Sequence, residues 1–302
     1  MAARLVAGVV AGLLWALLAG YARRMVAPHQ RGRALAIAMA GTPVALAIGV
    51  PAGTFLANVI GWRATFGLMT LLTAGLIVWA VATIPAFPGQ ERHARLPIRR
   101  VLMTTGVAPV LFVTLTFVLA HNIVYTYIAP FLAPLGLGHR VDAVLLVFGV
   151  AALVSIVITG VLVDRHLRPL TIASCALFAA ATLALGMFAS LPLLVFTSAA
   201  TWGLAFGGAA TLLQTAVAEA AGSAGDVAQS LLVTCWNVGI AGGGVVGGLL
   251  LDWAGPVSLP WSALILLVAA LVVTLAAYRH GFPGRLRRAV RGDVPSGGVT
   301  PS

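Results

Sequence analysis

The residues best suited to do chemistry lie in the run HNIVYTYIAPFL: His121, Asn122, Tyr125 and Tyr127, followed by Pro130. His121 and Tyr125 are at i, i+4 spacing, so on a helix they share a face, with Asn122 beside it. Such a face offers hydrogen bonds and a stacking wall to a polar organic solute. Gln214, Trp236 and Asn237 each interrupt an apolar run near glycines and are secondary candidates for the same task; an interhelical hydrogen bond is the competing role for Asn237. Tyr125 and Tyr127 approach the outer end of their apolar run, where an interfacial aromatic belt is the competing role, and Trp202 reads as packing.

This is binding chemistry, not bond-making chemistry. No H-E-x-x-H and no G-x-S-x-G occurs, and His121 has no acidic neighbour in sequence. No Asp or Glu lies in the middle of an apolar run: Asp142, Asp164, Glu219, Asp226 and Asp252 fall at ends or turns. Cys175 and Cys235 lie inside apolar runs and read as small packing residues, not as a disulfide framework or a zinc site. The glycines lie within apolar runs and no glycine-rich turn joins a strand to a helix. We therefore expect no enzyme, no catalytic residue, no metal and no cofactor.

The elements that must position these residues are membrane helices. About nine apolar stretches follow one another, at 6–18, 34–59, 66–84, 107–128, 143–163, 170–189, 191–218, 227–251 and 259–277. Most are long enough to cross a hydrocarbon core about 30 Å thick at about 1.5 Å per helical residue; the first is short. Hydrophobic residues make up 61% of the chain and charged ones 8%, more apolar surface than one soluble core can hide. The fold class is thus all-α, a membrane bundle whose partner is the lipid bilayer. Apolar runs continue to the far end of the chain, which separates this pattern from a cleavable signal peptide.

The net charge of +11 comes with no basic stripe interleaved with stacking aromatics, so nucleic acid is not an expected partner. All 18 basic residues are arginine, a hint of a GC-rich bacterial genome, and most cluster in alternate gaps. Arg23, Arg24, Arg31 and Arg33 share the first gap; Arg92, Arg95, Arg99 and Arg100 the third; Arg165 and Arg168 the fifth; Arg279, Arg285, Arg287, Arg288 and Arg291 the tail. The positive-inside rule places these gaps and the C-terminus in the cytoplasm and Met1 outside. The seventh gap, around Glu219 and Asp226, is the misfit, since it carries no arginine.

An outside start that runs directly into a span, with Arg4 at its head, leads us to expect further helices upstream. An internal repeat points the same way. Laying Gly49, Gly53 and Gly61 on Gly243, Gly247 and Gly255 also lays Ala45 on Gly239, so two spans share a small-xxx-small face and an exit turn. The expected organisation is an incomplete N-terminal bundle at 1–84 with about three spans, a proline-punctuated cytoplasmic linker at 85–100, a bundle of about six spans at 101–280 and a disordered cytoplasmic tail at 281–302. The linker's arginines could also grip anionic lipid.

Several segments resemble the major facilitator superfamily. The turn Gly160-Val-Leu-Val-Asp164-Arg165-His166-Leu167-Arg168 resembles its G-x-x-x-D-R-x-G-R-R loop, with Leu167 in the second glycine position. In physical terms Gly160 permits a close helix approach, Asp164 can pair with an arginine or face a helix N-terminus, and Arg165 and Arg168 anchor the inner surface. Arg4-Leu-Val-Ala-Gly8 resembles the family's R-x-x-Q-G motif, with Ala7 replacing the glutamine, and Gly49-Val-Pro51-Ala-Gly53 resembles the glycine-proline signature of its drug and sugar efflux branch. Arg31-Gly-Arg33-Ala-Leu-Ala before it and Gly61-Trp62-Arg63-Ala-Thr-Phe66 after it are the flanks that branch leads us to expect. Pro51 sets a bend that serves either gating or packing.

The resemblance implies helices four to twelve of a twelve-helix fold, monomeric and in the bacterial inner membrane. It implies efflux of a small organic solute, a drug or a sugar, by alternating access and proton antiport. A substrate would sit near the bilayer midplane between two halves. His121 is the titratable candidate within a span; the carboxylate that often lies in the family's first helix has no counterpart here. A truncated, transport-incompetent remnant of such a transporter is the alternative expectation.

Overall fold

The structure, a computed structural model, describes residues 24–45, 49–85 and 97–282, together with a few positions between 10 and 22. Every regular element among the described residues is helical. The first stretch at 6–18, including Arg4 and Gly8, lies largely outside the described residues, as do most of the linker and the tail beyond Phe282.

The main helices are α1 (Arg31–Met39), α2 (Val50–Ile60), α3 (Trp62–Thr83), α4 (Ile98–Leu102), α5 (Val107–Thr126), α6 (Val141–Phe188), α7 (Pro192–Gly207), α8 (Ala209–Ala221), α9 (Gly225–Ala254) and α10 (Ser258–Ala276). Among the described residues, six helical stretches are long and apolar enough to cross a membrane: Trp62–Thr83, Val107–Thr126, Gly138–Phe188, Pro192–Ala221, Gly225–Ala254 and Ser258–Arg279. Large apolar side chains such as Trp79, Val161, Leu193, Val245 and Ile265 stand exposed along them. In a chain this apolar, lipid is the medium that accepts them.

Helix α6 satisfies its backbone over 48 residues, yet it comprises two spans. Ser155 Oγ accepts a hydrogen bond from Gly208 N at 3.1 Å, and Ser174 Oγ donates to Ala205 O, so both serines reach the same end of α7. On one straight helix they would stand about 28 Å apart. The chain therefore doubles back between them, at His166, whose φ of −131° and ψ of 34° are non-helical; Pro169 follows. The expected stretches 143–163 and 170–189 are the two limbs of this hairpin.

In the run 34–59 the described elements are α1, ending at Met39, a short turn of helix at Gly41–Val44, and α2 from Val50; residues 46–48 lie outside the described residues. Gly41, Pro43, Gly49 and Pro51 lie in this interval. Two prolines without an N–H and two glycines remove hydrogen bonds and stiffness from the same few turns. The chain divides there into two compact units, one formed by 1–40 with 96–302 and the other by 41–95.

In the larger unit, Phe117, Phe178, Trp202, Leu232, Leu259 and Leu267 are nearly or fully buried in one core. Close helix approach depends on glycine. A Cβ on Gly203 or Gly207 of α7 would collide with the backbone of Phe148 or Ala152. Along α9, a Cβ on Gly239, Gly243 or Gly247 would meet Val118, Asn122 or Tyr127 of the segment containing α5. In lipid, such backbone proximity provides the packing that association needs.

The smaller unit holds α2 and α3, joined at Gly61 with φ 82°. Thr65 Oγ1 returns a hydrogen bond to Gly61 O at 3.0 Å, and the Arg63 guanidinium lies 4.4 Å from the centroid of the Trp62 ring. Most of the α3 surface is exposed and apolar.

Candidate functional site

An aromatic box surrounds His121. Helix α5 contributes His121, Tyr125 and Phe117, the limbs of α6 contribute Phe148 and Phe178, α7 contributes Trp202 and Phe206, and α9 contributes Trp236. The imidazole stacks on Phe206 with centroids 3.5 Å apart and on Tyr125 at 5.2 Å. Trp202 Nε1 donates to His121 Nδ1 at 3.1 Å. That bond requires a lone pair on Nδ1, so the ring in this arrangement carries its proton on Nε2. Phe148 and Phe178 hold Trp202 from the two limbs, at 4.4 and 5.8 Å.

His121 and Trp202 are buried, whereas Tyr125, Phe206 and Trp236 are half-buried. The box thus has a fixed floor and partly open walls. It can stack a planar group and hydrogen-bond to a polar one.

The sequence candidates separate into distinct places. His121 and Tyr125 come together, and Trp236 joins them through Phe206 at 6.1 Å. Asn122 turns away: its Nδ2 donates to Val118 O at 2.9 Å, and its Cβ seats against Gly243. Asn237 is exposed and bonds its own helix at Val233 O, 2.9 Å. Tyr127 donates to Gly244 O at 2.6 Å, which makes it a clasp between α5 and α9.

Gln214 is fully buried elsewhere. Its Nε2 donates to Met39 Sδ at 3.2 Å, and its Oε1 accepts from Gln229 Nε2 at 3.0 Å. Trp202, Phe206 and Phe148 were missing from the candidate site, as was Gln229. Trp202 and Phe206 stand at i, i+4 on α7, the same spacing that marked His121 and Tyr125, and that pattern was the available signal.

The loop motif resolves into three jobs. Asp164 accepts hydrogen bonds from Gly32 N at 2.8 Å and Arg33 N at 3.2 Å. Helix α1 has no acidic residue in its first turn and its N-cap residue makes no side-chain bond, so Asp164 supplies the cap from another element. Gly160 faces Ala36 so closely that an added Cβ would come within 3.1 Å of it. Leu167, in the place of a glycine, is buried in the core.

Arg168 donates to Phe282 O at 3.0 Å and to Thr274 O and Leu275 O at 3.3 Å, gripping the end of α10. Arg165 is exposed. Arg24 pairs with Asp226 at 2.8 Å across another junction. Gly49 and Gly53 lie in the smaller unit, with Pro51 in the first turn of α2. Among the described residues, no group of three His, Cys, Asp or Glu is placed to hold a metal ion.

The sequence matches the Major Facilitator Superfamily over residues 1–228 and 140–296. It is 28% identical over 275 residues to the purine ribonucleoside efflux pump NepI of Shigella sonnei, covering 88% of this chain and 68% of that protein. The corresponding pump of Escherichia coli K12 gives the same identity and coverage. A probable sugar efflux transporter of Mannheimia succiniciproducens is 26% identical over 267 residues, covering 86% of this chain and 66% of that protein. The chain thus spans about two thirds of the length of these curated relatives. With two matches that together run from residue 1 to residue 296 and helices suited to a bilayer, this multi-pass membrane protein belongs to the Major Facilitator Superfamily.

Proposed function

We propose that the protein is a secondary transporter that exports a small organic solute, a drug or a sugar-bearing compound, by alternating access coupled to proton antiport. The observation that carries this reading is the aromatic box: a histidine and a tyrosine facing half-buried rings inside a chain whose relatives are efflux pumps. His121 and Tyr125 hydrogen-bond and stack the solute, Phe206 and Trp236 form the wall, and Trp202 fixes the imidazole. The relatives' printed names, one for purine ribonucleosides and one for sugars, favour a ligand combining a planar ring or a sugar with hydroxyl groups.

The contacts of α1 supply the gate. Asp164 on its N-terminus and Gln214 on Met39 hold that helix against α6 and α8, and their separation opens the arginine-rich end. The positive-inside rule makes that end cytoplasmic, with the C-terminus inside the cell and the protein in the bacterial inner membrane as a monomer.

The test is accumulation of radiolabelled sugar, purine nucleoside and a planar cationic dye in cells expressing the full chain, with and without a protonophore. At least one compound should accumulate several-fold less than in empty-vector cells, and the protonophore should abolish the difference. Tyr125→Ala should reduce export about ten-fold with membrane insertion intact, the effect of one lost stacking partner. Equal accumulation with and without the protein, across all three classes, would refute efflux.

A further inference from the structure

We propose that the arginine-lined groove at the foot of α5 binds the phosphate of an anionic phospholipid. The groove is a shallow, open one of about 740 Å³, lined by Pro97, Arg99, Arg100, Met103, Thr104 and Thr105. Both arginines sit in the last turn of the short helix α4 and are exposed. Among the described residues no carboxylate lines the groove and none pairs with Arg99 or Arg100. Each guanidinium can donate a pair of hydrogen bonds to phosphate oxygens, and the Thr105 hydroxyl lines the same groove.

Apolar groups complete the match. Ile98 is 59% exposed, Met103 73%, and Leu102 is exposed as well, so acyl-chain contacts lie next to the cations. The groove ends where Val107 opens a membrane-spanning helix, which is headgroup depth. A soluble anion would use the arginines and leave this apolar rim bare.

The other end of the bundle is fastened to the same place. Gly106 has φ 102°, and the carbonyl of His280 lies where its Cβ would be. Phe282 is fully buried, and Arg168 holds its carbonyl oxygen at 3.0 Å. The chain is thus anchored beside the groove at Phe282. Placing the lipid in the inner leaflet rests on the orientation proposed above; the binding itself does not.

The full chain, reconstituted into nanodiscs of phosphatidylcholine with a minority of phosphatidylglycerol, would be extracted and the retained lipid counted by native mass spectrometry. Phosphatidylglycerol should be enriched over its share of the bilayer. Each arginine near the surface contributes about five-fold, so Arg99→Gln with Arg100→Gln should lower the preference roughly twenty-five-fold. Arg99→Lys with Arg100→Lys should keep most of it, and Arg63→Gln should leave it unchanged.

Millimolar inorganic phosphate should not displace the lipid. Equal retention of both lipids by the unaltered protein, or a glutamine pair that binds like the unaltered protein, would overturn the proposal. Full displacement by phosphate would also overturn it, in favour of a soluble-anion site. Should the glutamine pair fail to insert, competition of spin-labelled phosphatidylglycerol against phosphatidylcholine on the unaltered protein decides, with equal affinities refuting the site.

Discussion

Helices α9 and α2 carry the same glycine spacing but use it differently. On α9, Gly239, Gly243 and Gly247 press against Val118, Asn122 and Tyr127, too close for any side chain. On α2, Gly53 has no atom of the smaller unit within 4 Å of an added Cβ, and Gly49 meets only Ala45 of its own segment. The exit turns nevertheless agree. Gly255 leaves α9 at φ 75°, ψ 175°, and Gly61 leaves α2 at φ 82°, ψ 152°. Each turn's glycine carbonyl also accepts a nearby hydroxyl: Thr65 donates to Gly61 O at 3.0 Å, four residues on, and Ser258 to Gly255 O at 2.6 Å, three residues on. Backbone turns are written into local sequence, whereas a glycine face gains its energy only from the helix laid against it.

Substitutions can break or sharpen this contrast. The largest effect is expected for Gly243→Val, whose Cβ would strike Asn122 and whose branch would push α5 away. We expect about 3 kcal/mol of destabilisation, read by thermal or denaturant unfolding in detergent. Gly53→Val in the same assay should change stability by less than about 1 kcal/mol, since valine is no worse a helix former than glycine and nothing in the smaller unit meets its Cβ. Comparable losses at the two sites would erase the distinction.

Alanine at the exit glycines comes next. Gly255→Ala and Gly61→Ala both place a Cβ on a backbone that favours glycine, and each should lose about 2 kcal/mol. Here the two regions should behave alike, and a harmless Gly61→Ala would mean that only one turn is needed. The smallest effects are expected for Ser258→Ala and Thr65→Val, about 0.5–1 kcal/mol each for one hydroxyl bond to a backbone carbonyl. Hydrogen exchange at the first turns of α10 and α3 would register the loss as earlier fraying.

What could be read from the sequence follows the same division. The exit turns, most of the apolar spans and the i, i+4 spacing of His121 and Tyr125 rest on patterns within one segment: Gly61 and Gly255 both have positive φ, and the two rings stack. The reach of Asp164 to the N-terminus of α1 was readable only as one of two options, since its partner lies 132 residues away. Trp202 on Nδ1 of His121 and Phe206 against its face come from a different helix, and no spacing along α5 announces them. Asn122 misled for a related reason: a polar residue on the margin of the predicted face can satisfy itself on Val118 O and leave its Cβ to the packing. The boundary between the two compact units falls in a run punctuated by Gly41, Pro43, Gly49 and Pro51, and hydropathy averages over such punctuation.

The reversal at His166 has a mechanical corollary. With a single non-helical residue between its limbs, α6 has no slack, so neither limb can slide along its axis without dragging the other. One limb carries the carboxylate that grips α1 and a ring against Trp202; the other carries Arg168, which grips the end of α10. A tug at either grip is therefore delivered, through a stiff elbow, to the rings around His121.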